Sequence, residues 1–288
     1  PVILIGVTCC FFVLRVFIEL SALEAQVIMI AIAFISLATL SISNHIKYQL
    51  IQPQFGELVP LPSLSILIYL LIPHFLYGIV YFGFIFADRL VANLTTAGTY
   101  IVIPGSNLSY QDSMDLALLN LLLIVPLVEY FSYKLIIYWY DRAKYMTLAE
   151  IDSLAWQLQK KYWQSVGRIL LWFGLLMSIT TVLLSVLNRS QSENILTIIG
   201  CLGYLCFAVG LFNTILLLSL DRLRDVLDIL AIAMITNFVL GYLLGSLFGV
   251  YLAVIGSIVG AIFFAIASTN KILKAIDRAD YCYFYSGY

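Results

Sequence analysis

The chain has 288 residues, of which 62% are hydrophobic and only 11% charged, with a formal net charge of −1. Soluble domains carry about 25% charged residues, and a soluble fold of this length could not hide so much apolar surface, so the bilayer is the expected solvent. The net charge itself says little; what matters is where the charges sit, and no nucleic-acid partner is expected.

Pro1–Leu14 reads as the remnant of a first spanning helix, ending near Arg15. It begins in mid-hydrophobic sequence without a methionine or a cleavable signal pattern, so an upstream part is expected to be missing. Ala25–Asn44 holds no Asp, Glu, Lys or Arg and makes a second span. A polar link with Lys47, Pro53, Pro60 and Pro62 follows. Leu64–Ala87 is a third span, with Pro73 and His74 in its middle and Asp88-Arg89 closing it. Residues 88–114 read as a Gly/Ser/Thr/Asn-rich loop outside the bilayer.

Asp115–Tyr140 is the fourth span. It exceeds the roughly 20 residues that a bilayer requires, yet it carries Pro126, Glu129 and Lys134 inside its apolar run. Residues 141–168 form a polar link. Thr147-Leu148-Ala149-Glu150 matches a capping box, in which hydroxyl and carboxylate satisfy each other's backbone N–H groups. Leu148, Ile151, Leu154, Leu158 and Tyr162 then recur every three or four residues. That spacing predicts an amphipathic helix, lying on the membrane face or continuing the neighbouring span.

Ile169–Leu187 and Ile195–Leu220 are the fifth and sixth spans. From Ile229 to Asn270 there is no Asp, Glu, Lys or Arg, and Gly241, Gly245 and Gly249 mark a turn. The run divides into Ile229–Leu247 and Gly249–Ser268. The expected fold is therefore an all-α polytopic membrane protein with one partial and seven complete transmembrane helices. Residues 1–63, 64–270 and 271–288 separate as an opening segment with its link, a six-helix unit and a tail.

Lys and Arg placement sets the orientation. With a cytoplasmic tail, one side collects Lys47, Arg142, Lys144, Lys160, Lys161, Arg168, Arg222, Arg224, Lys271, Lys274 and Arg278, while the other holds Arg15, Arg89 and Arg189. Only Lys134 lies within a span. The imbalance places the C-terminus in the cytoplasm.

Charges inside spans are costly and face a partner or a water-filled cavity. Glu129 and Lys134 are separated by about 140° on an ideal helix, so they make no ideal intrahelical pair. Glu129 suits a translocation path or an interhelical contact; Lys134 is close enough to the membrane surface to snorkel. Asp88 and Arg89 read either as an interfacial ion pair or as a contact at the outer mouth. Asp221, Arg222, Arg224, Asp225 and Asp228 cluster where two spans meet the cytoplasm, with Asp228 pointing furthest in. His74 is a packing residue or a titrating switch. Tyr77, Tyr81, Tyr130 and Tyr133 offer rings for packing or for stacking on sugars.

The five cysteines, Cys9, Cys10, Cys201, Cys206 and Cys282, form no CxxC pair and read as small apolar packing residues. No metal site, cofactor-binding motif or catalytic fingerprint is present. The chain is expected to be neither an enzyme nor a cofactor protein.

The stretch EYFSYKLIIYWYDRAKYMTLAEIDSLAWQLQKKY, Glu129–Tyr162, resembles the PelG family, the inner-membrane transporters of the bacterial Pel exopolysaccharide system. Asp88-Arg89 after an aromatic span, Leu220-Asp221-Arg222-Leu223-Arg224, and the tyrosine-rich end after Asp280 are similar to that family too. These transporters belong to the multidrug/oligosaccharidyl-lipid/polysaccharide (MOP) flippase superfamily, whose members have two six-helix lobes. The resemblance implies that Leu64–Ser268 is a complete C-terminal lobe and that Pro1–Asn44 holds the last two helices of the first. It implies export of polysaccharide through a cleft between lobes by alternating access, across the bacterial inner membrane. Glu129 matches the acidic position of the family's motif. The implied partners are the bilayer, the polymer, a cytoplasmic glycosyltransferase and other membrane subunits, docked on residues 141–168 and 221–228. Two rivals stay open: a flippase for lipid-linked oligosaccharide, and a non-transporting scaffold of a synthase complex.

Overall fold

A computed structural model describes residues 64–96, 108–144, 151–186 and 190–278. Pro1–Leu14, Ala25–Asn44, the capping box and the tyrosine-rich tail lie outside the described residues. Among those described, all regular structure is helical: α1 Leu64–Thr96, α2 Leu108–Lys144, α3 Ile151–Val186, α4 Gln191–Ser219, α5 Leu223–Phe248 and α6 Ala253–Ile276, with a 3-10 turn at Val250–Leu252 before α6. All six helices are long and apolar enough to cross a membrane. They match the six spans read between Leu64 and Ser268.

α4 is the axis of the bundle. Its most apolar window is 61% buried, against no more than 39% in any other helix. A helix that is apolar all round has no face to give to water and belongs in a core. α4 packs against α2, α3, α5 and α6, and α1 reaches it through Phe84 and Phe207, whose rings stack with centroids 5.0 Å apart. Phe264 of α6 joins the same pair. Apolar burial does not hold helices together in lipid, because the tails are as apolar as leucine; close packing and interhelical hydrogen bonds do.

Small residues provide that packing between α5 and α6. A Cβ on Gly256 would meet the backbone nitrogen of Gly241 at 2.4 Å and the Asn237 carbonyl at 2.5 Å. The two backbones touch there, and only glycine fits. The hairpin between them turns at Gly249, whose φ of +107° suits a residue without a Cβ.

α4 ends on a Schellman motif. Asp221 takes the left-handed conformation (φ 57°), the Arg222 N–H donates to the Leu217 carbonyl at 3.0 Å, and the Asp221 N–H to that of Leu218 at 3.1 Å. Asp225 in the first turn of α5 then accepts from Lys271 Nζ, near the end of α6, at 2.7 Å. Arg222 stands 3.9 Å from the same carboxylate. Part of the 221–228 cluster is thus a tie between helix ends, and a carboxylate in the first turn also suits the helix dipole.

Two boundaries differ from expectation. The loop expected at 88–114 is largely helix: α1 runs on to Thr96 and α2 begins at Leu108. Asp88 and Arg89 do not close the span: both are buried in the bundle, and Val91 and Ala92 are buried beyond them. The polar link at 141–168 is also mostly helix. Its amphipathic stripe of Leu154, Leu158 and Tyr162 continues without interruption as Ile169 and Phe173, all buried. With no proline or turn at the junction, link and span merge into α3. α2 and α3 have 37 and 36 residues, about 55 Å each. That exceeds the hydrocarbon thickness of about 30 Å, so the pair projects beyond the bilayer. Pro73 and Pro126 sit within continuous helices.

Candidate functional site

Among the described residues, three polar networks each join three helices. Near the α3 N-terminal half, the Tyr162 hydroxyl donates to Asn213 Oδ1 at 2.8 Å. The Asn213 amide donates to Ser268 and Thr269 at 3.0 and 2.9 Å. All four partners have strong hydrogen-bonding groups that lipid cannot satisfy. In mid-bundle, Thr180 donates to Asn120 Oδ1 at 2.8 Å and the Asn120 amide reaches Cys201 Sγ at 3.1 Å. These two networks are uncharged.

The third is charged. It lies between the C-terminal part of α1, the start of α2 and α4. Asp88 is 1% exposed and Arg89 9%. The Tyr110 hydroxyl donates to Asp88 Oδ2 at 3.5 Å. Arg89 Nη2 donates to Asp115 Oδ1, and its guanidinium also lies 5.0 Å from the centre of the Phe86 ring. Tyr204 of α4 stands against Asp88 and Arg89. Asp88 and Tyr204 line a small cavity of about 10 Å³ with Phe84, Gly200, Gly203 and Ser257. That is the size of one water. Asp88 Oδ1 and Arg89 Nη1 are buried with no protein partner.

The arrangement has a direction. Asp115 is on the rim, its side chain 60% exposed, while the Arg89 side chain is 11% exposed and Asp88 is fully inside. Charge runs from the surface through a guanidinium to a carboxylate in the interior. Two carboxylates face one guanidinium, so the network carries one surplus negative charge. A proton or a monovalent cation neutralises such a surplus, and groups of this kind within spans mark ion paths and proton relays.

The other candidates lie apart from it. Glu129 is exposed on α2, between Val128, which is buried, and Tyr130, which is exposed. It makes no ion pair among the described residues, but it is near enough to Tyr81 to act on it electrostatically. Lys134 is exposed, with Nζ 5.8 Å from the centre of the Tyr130 ring. His74 is exposed in the first half of α1, and Asp228 is exposed in α5. Tyr130 and Tyr133 are exposed, whereas Tyr77 and Tyr81 pack against one another at 5.9 Å.

No family model matches the chain, and neither a curated protein nor a solved structure does.

What the chain is thus rests on its own geometry: a multi-pass helical membrane protein with a buried charged network. Asp115, Tyr110 and Tyr204 were not singled out in the sequence. Asp115 read as the polar start of a span and the tyrosines as belt or packing residues. The one signal was Asp88-Arg89, two charges beside a long apolar run that continued past them in Leu90, Val91 and Ala92.

Proposed function

We propose that this chain is part of a bacterial inner-membrane transporter that exports an exopolysaccharide by alternating access between two helical lobes, as the resemblance to PelG implies. The described helices form the second lobe. The observation that carries a transport reading is the Asp88-Arg89-Asp115 network, a charged path entering a bundle of six span-length helices. The substrate class rests on the resemblance around Glu129–Tyr162. Glu129, exposed beside Tyr130 and Tyr133, suits a cleft that a second lobe would complete. The basic ends of α2, α3, α5 and α6 face the cytoplasm under the positive-inside rule, where a glycosyltransferase would feed the polymer.

The test uses the full-length gene in its native host. The gene is deleted and restored as wild type, Asp88→Asn or Glu129→Gln, and polymer is quantified outside the cell and in the cytosol. Transport predicts that deletion stops secretion and that Asp88→Asn and Glu129→Gln proteins insert normally yet secrete less. Full secretion by both variants would remove the transport reading. One observation favours a scaffold as the second reading: α2 and α3 exceed the hydrocarbon core by about 25 Å each, a projecting hairpin suited to docking. The scaffold predicts secretion that tolerates both variants but fails when the exposed side chains of that hairpin are replaced.

A further inference from the structure

α2 and α3 form an open groove at their basic end, separate from the Asp88 network. It has a volume of about 200 Å³ and is lined by Phe131, Lys134 and Leu135 of α2 and by Lys161, Gln164, Ser165 and Arg168 of α3. Three cations face it and, among the described residues, no carboxylate does. We infer that this groove holds the phosphodiester headgroup of an anionic phospholipid.

The cations are placed by aromatic rings instead of by acids. Lys161 Nζ lies 3.4 Å from the centre of the Tyr138 ring, Lys134 Nζ 5.8 Å from that of Tyr130, and the Arg168 guanidinium 5.9 Å from that of Phe131. A ring face attracts a cation and orients it, but it cancels no charge. None of the three forms a salt bridge among the described residues, whose ion pairs involve Arg89, Arg222 and Lys271. Among the described residues the positive charge of the groove is uncompensated. Gln164 adds a neutral amide donor. The Ser165 hydroxyl donates to the Lys161 carbonyl at 3.0 Å, which ties it to its own helix.

The depth of the groove selects a lipid. α3 is uncharged from Ile169 to Val186, about 27 Å of helix, which nearly fills the hydrocarbon core of about 30 Å. Arg168 therefore stands at the hydrocarbon boundary. Lys161 is seven positions further along the helix, about 10 Å out, at the outer edge of a headgroup layer about 5–8 Å thick. Trp163 and Trp172, both exposed, bracket the same level, as interfacial tryptophans do. The two helices run antiparallel through it: Arg168 meets Phe131, and farther out Gln157 accepts from the Tyr138 hydroxyl at 2.8 Å. A headgroup phosphate at this depth meets all three cations while its acyl chains lie along the exposed Leu170 and Leu171 of α3.

The test measures lipid retention by the full chain with native mass spectrometry and binding in titrations with phosphatidylglycerol and phosphatidylcholine. Phosphatidylglycerol should bind preferentially. Each cation near a membrane surface is worth about fivefold in affinity for anionic lipid, so Lys134→Gln, Lys161→Gln and Arg168→Gln together should weaken binding about a hundredfold. Lys160→Gln, whose charge lies over Trp156 at 5.2 Å outside the groove, should weaken it by no more than roughly the fivefold of a surface charge. Because a triple variant can fail to fold, photoactivatable phosphatidylglycerol is also crosslinked to the wild-type chain, with products expected at 131–135 and 161–168. Equal binding of the two lipids, an unaffected triple variant, or crosslinks confined to other helices would overturn the inference. So would inorganic phosphate that displaces the lipid at matching concentration, since the groove would then be a site for a soluble anion.

Discussion

Arg89 and Asp115 are 26 positions apart and join α1 to α2 through an ion pair whose two ends see different solvents. The Arg89 side chain is 11% exposed and that of Asp115 60%. Removing the buried end differs from removing the exposed end. Arg89→Ala strands Asp88 as an uncompensated buried charge and should cost about 3–5 kcal/mol. Asp115→Asn loses a pair screened on one side and should cost about 1 kcal/mol or less. Reversible unfolding of the full chain in mixed micelles measures both. Equal losses would mean that Asp88 does not depend on Arg89.

Asn213 sits at the centre of the uncharged network, with Tyr162, Ser268 and Thr269 as partners from α3 and α6. Asn213→Leu removes all three bonds and leaves those partners in an apolar interior. The expected loss is about 1–2 kcal/mol, the upper part of the range for interhelical hydrogen bonds in membranes. Asn120→Leu, with two partners, should cost less in the same assay.

How far the sequence discloses this molecule depends on the range of the interaction. Apolar runs bounded by charges are local, so all six described spans are legible from composition. The stripe of Leu154, Leu158 and Tyr162 is legible too, because helical period is a local property. Its merger with the next span turns on the absence of a breaker, a weaker signal. Helix ends near charges mislead: Asp88 and Arg89 look like a terminus because their partners, Asp115, Tyr110 and Tyr204, are distant in sequence. The same holds for Lys271 and Asp225. A partner on another helix leaves no mark on the local pattern. The role of Gly256 is hidden for the same reason, since its constraint comes from Gly241 across the hairpin.

That constraint gives a packing prediction. Gly256→Val would place atoms where the α5 backbone already is, and neither helix can move without losing other contacts. Overpacking of this kind costs about 1–3 kcal/mol or more, and here the obstacle is backbone rather than a flexible side chain. Gly249→Ala acts at the turn, where a Cβ meets no neighbour but the φ of +107° is strained. Its cost should be of order 1–3 kcal/mol. Misassembly of the α5–α6 hairpin on Gly256→Val, read as increased proteolysis between 249 and 253, checks the first; unfolding in mixed micelles checks the second.

The end of α4 makes the opposite prediction. Asp221 adopts a conformation that most residues avoid and that glycine takes freely. Asp221→Gly should therefore be neutral or should stabilise by up to about 1 kcal/mol, because the Schellman bonds from Arg222 to Leu217 and from Asp221 to Leu218 use backbone atoms alone. Asp221→Val should destabilise by about 1–2 kcal/mol, since a β-branched side chain fits poorly at positive φ. If the two variants unfold at the same point, the left-handed turn is not what ends α4, and the Asp225–Lys271 tie between α5 and α6 becomes the contact that sets the helix boundary. Asp225→Asn in the Asp221→Gly background separates the two, because only the tie depends on a side-chain charge.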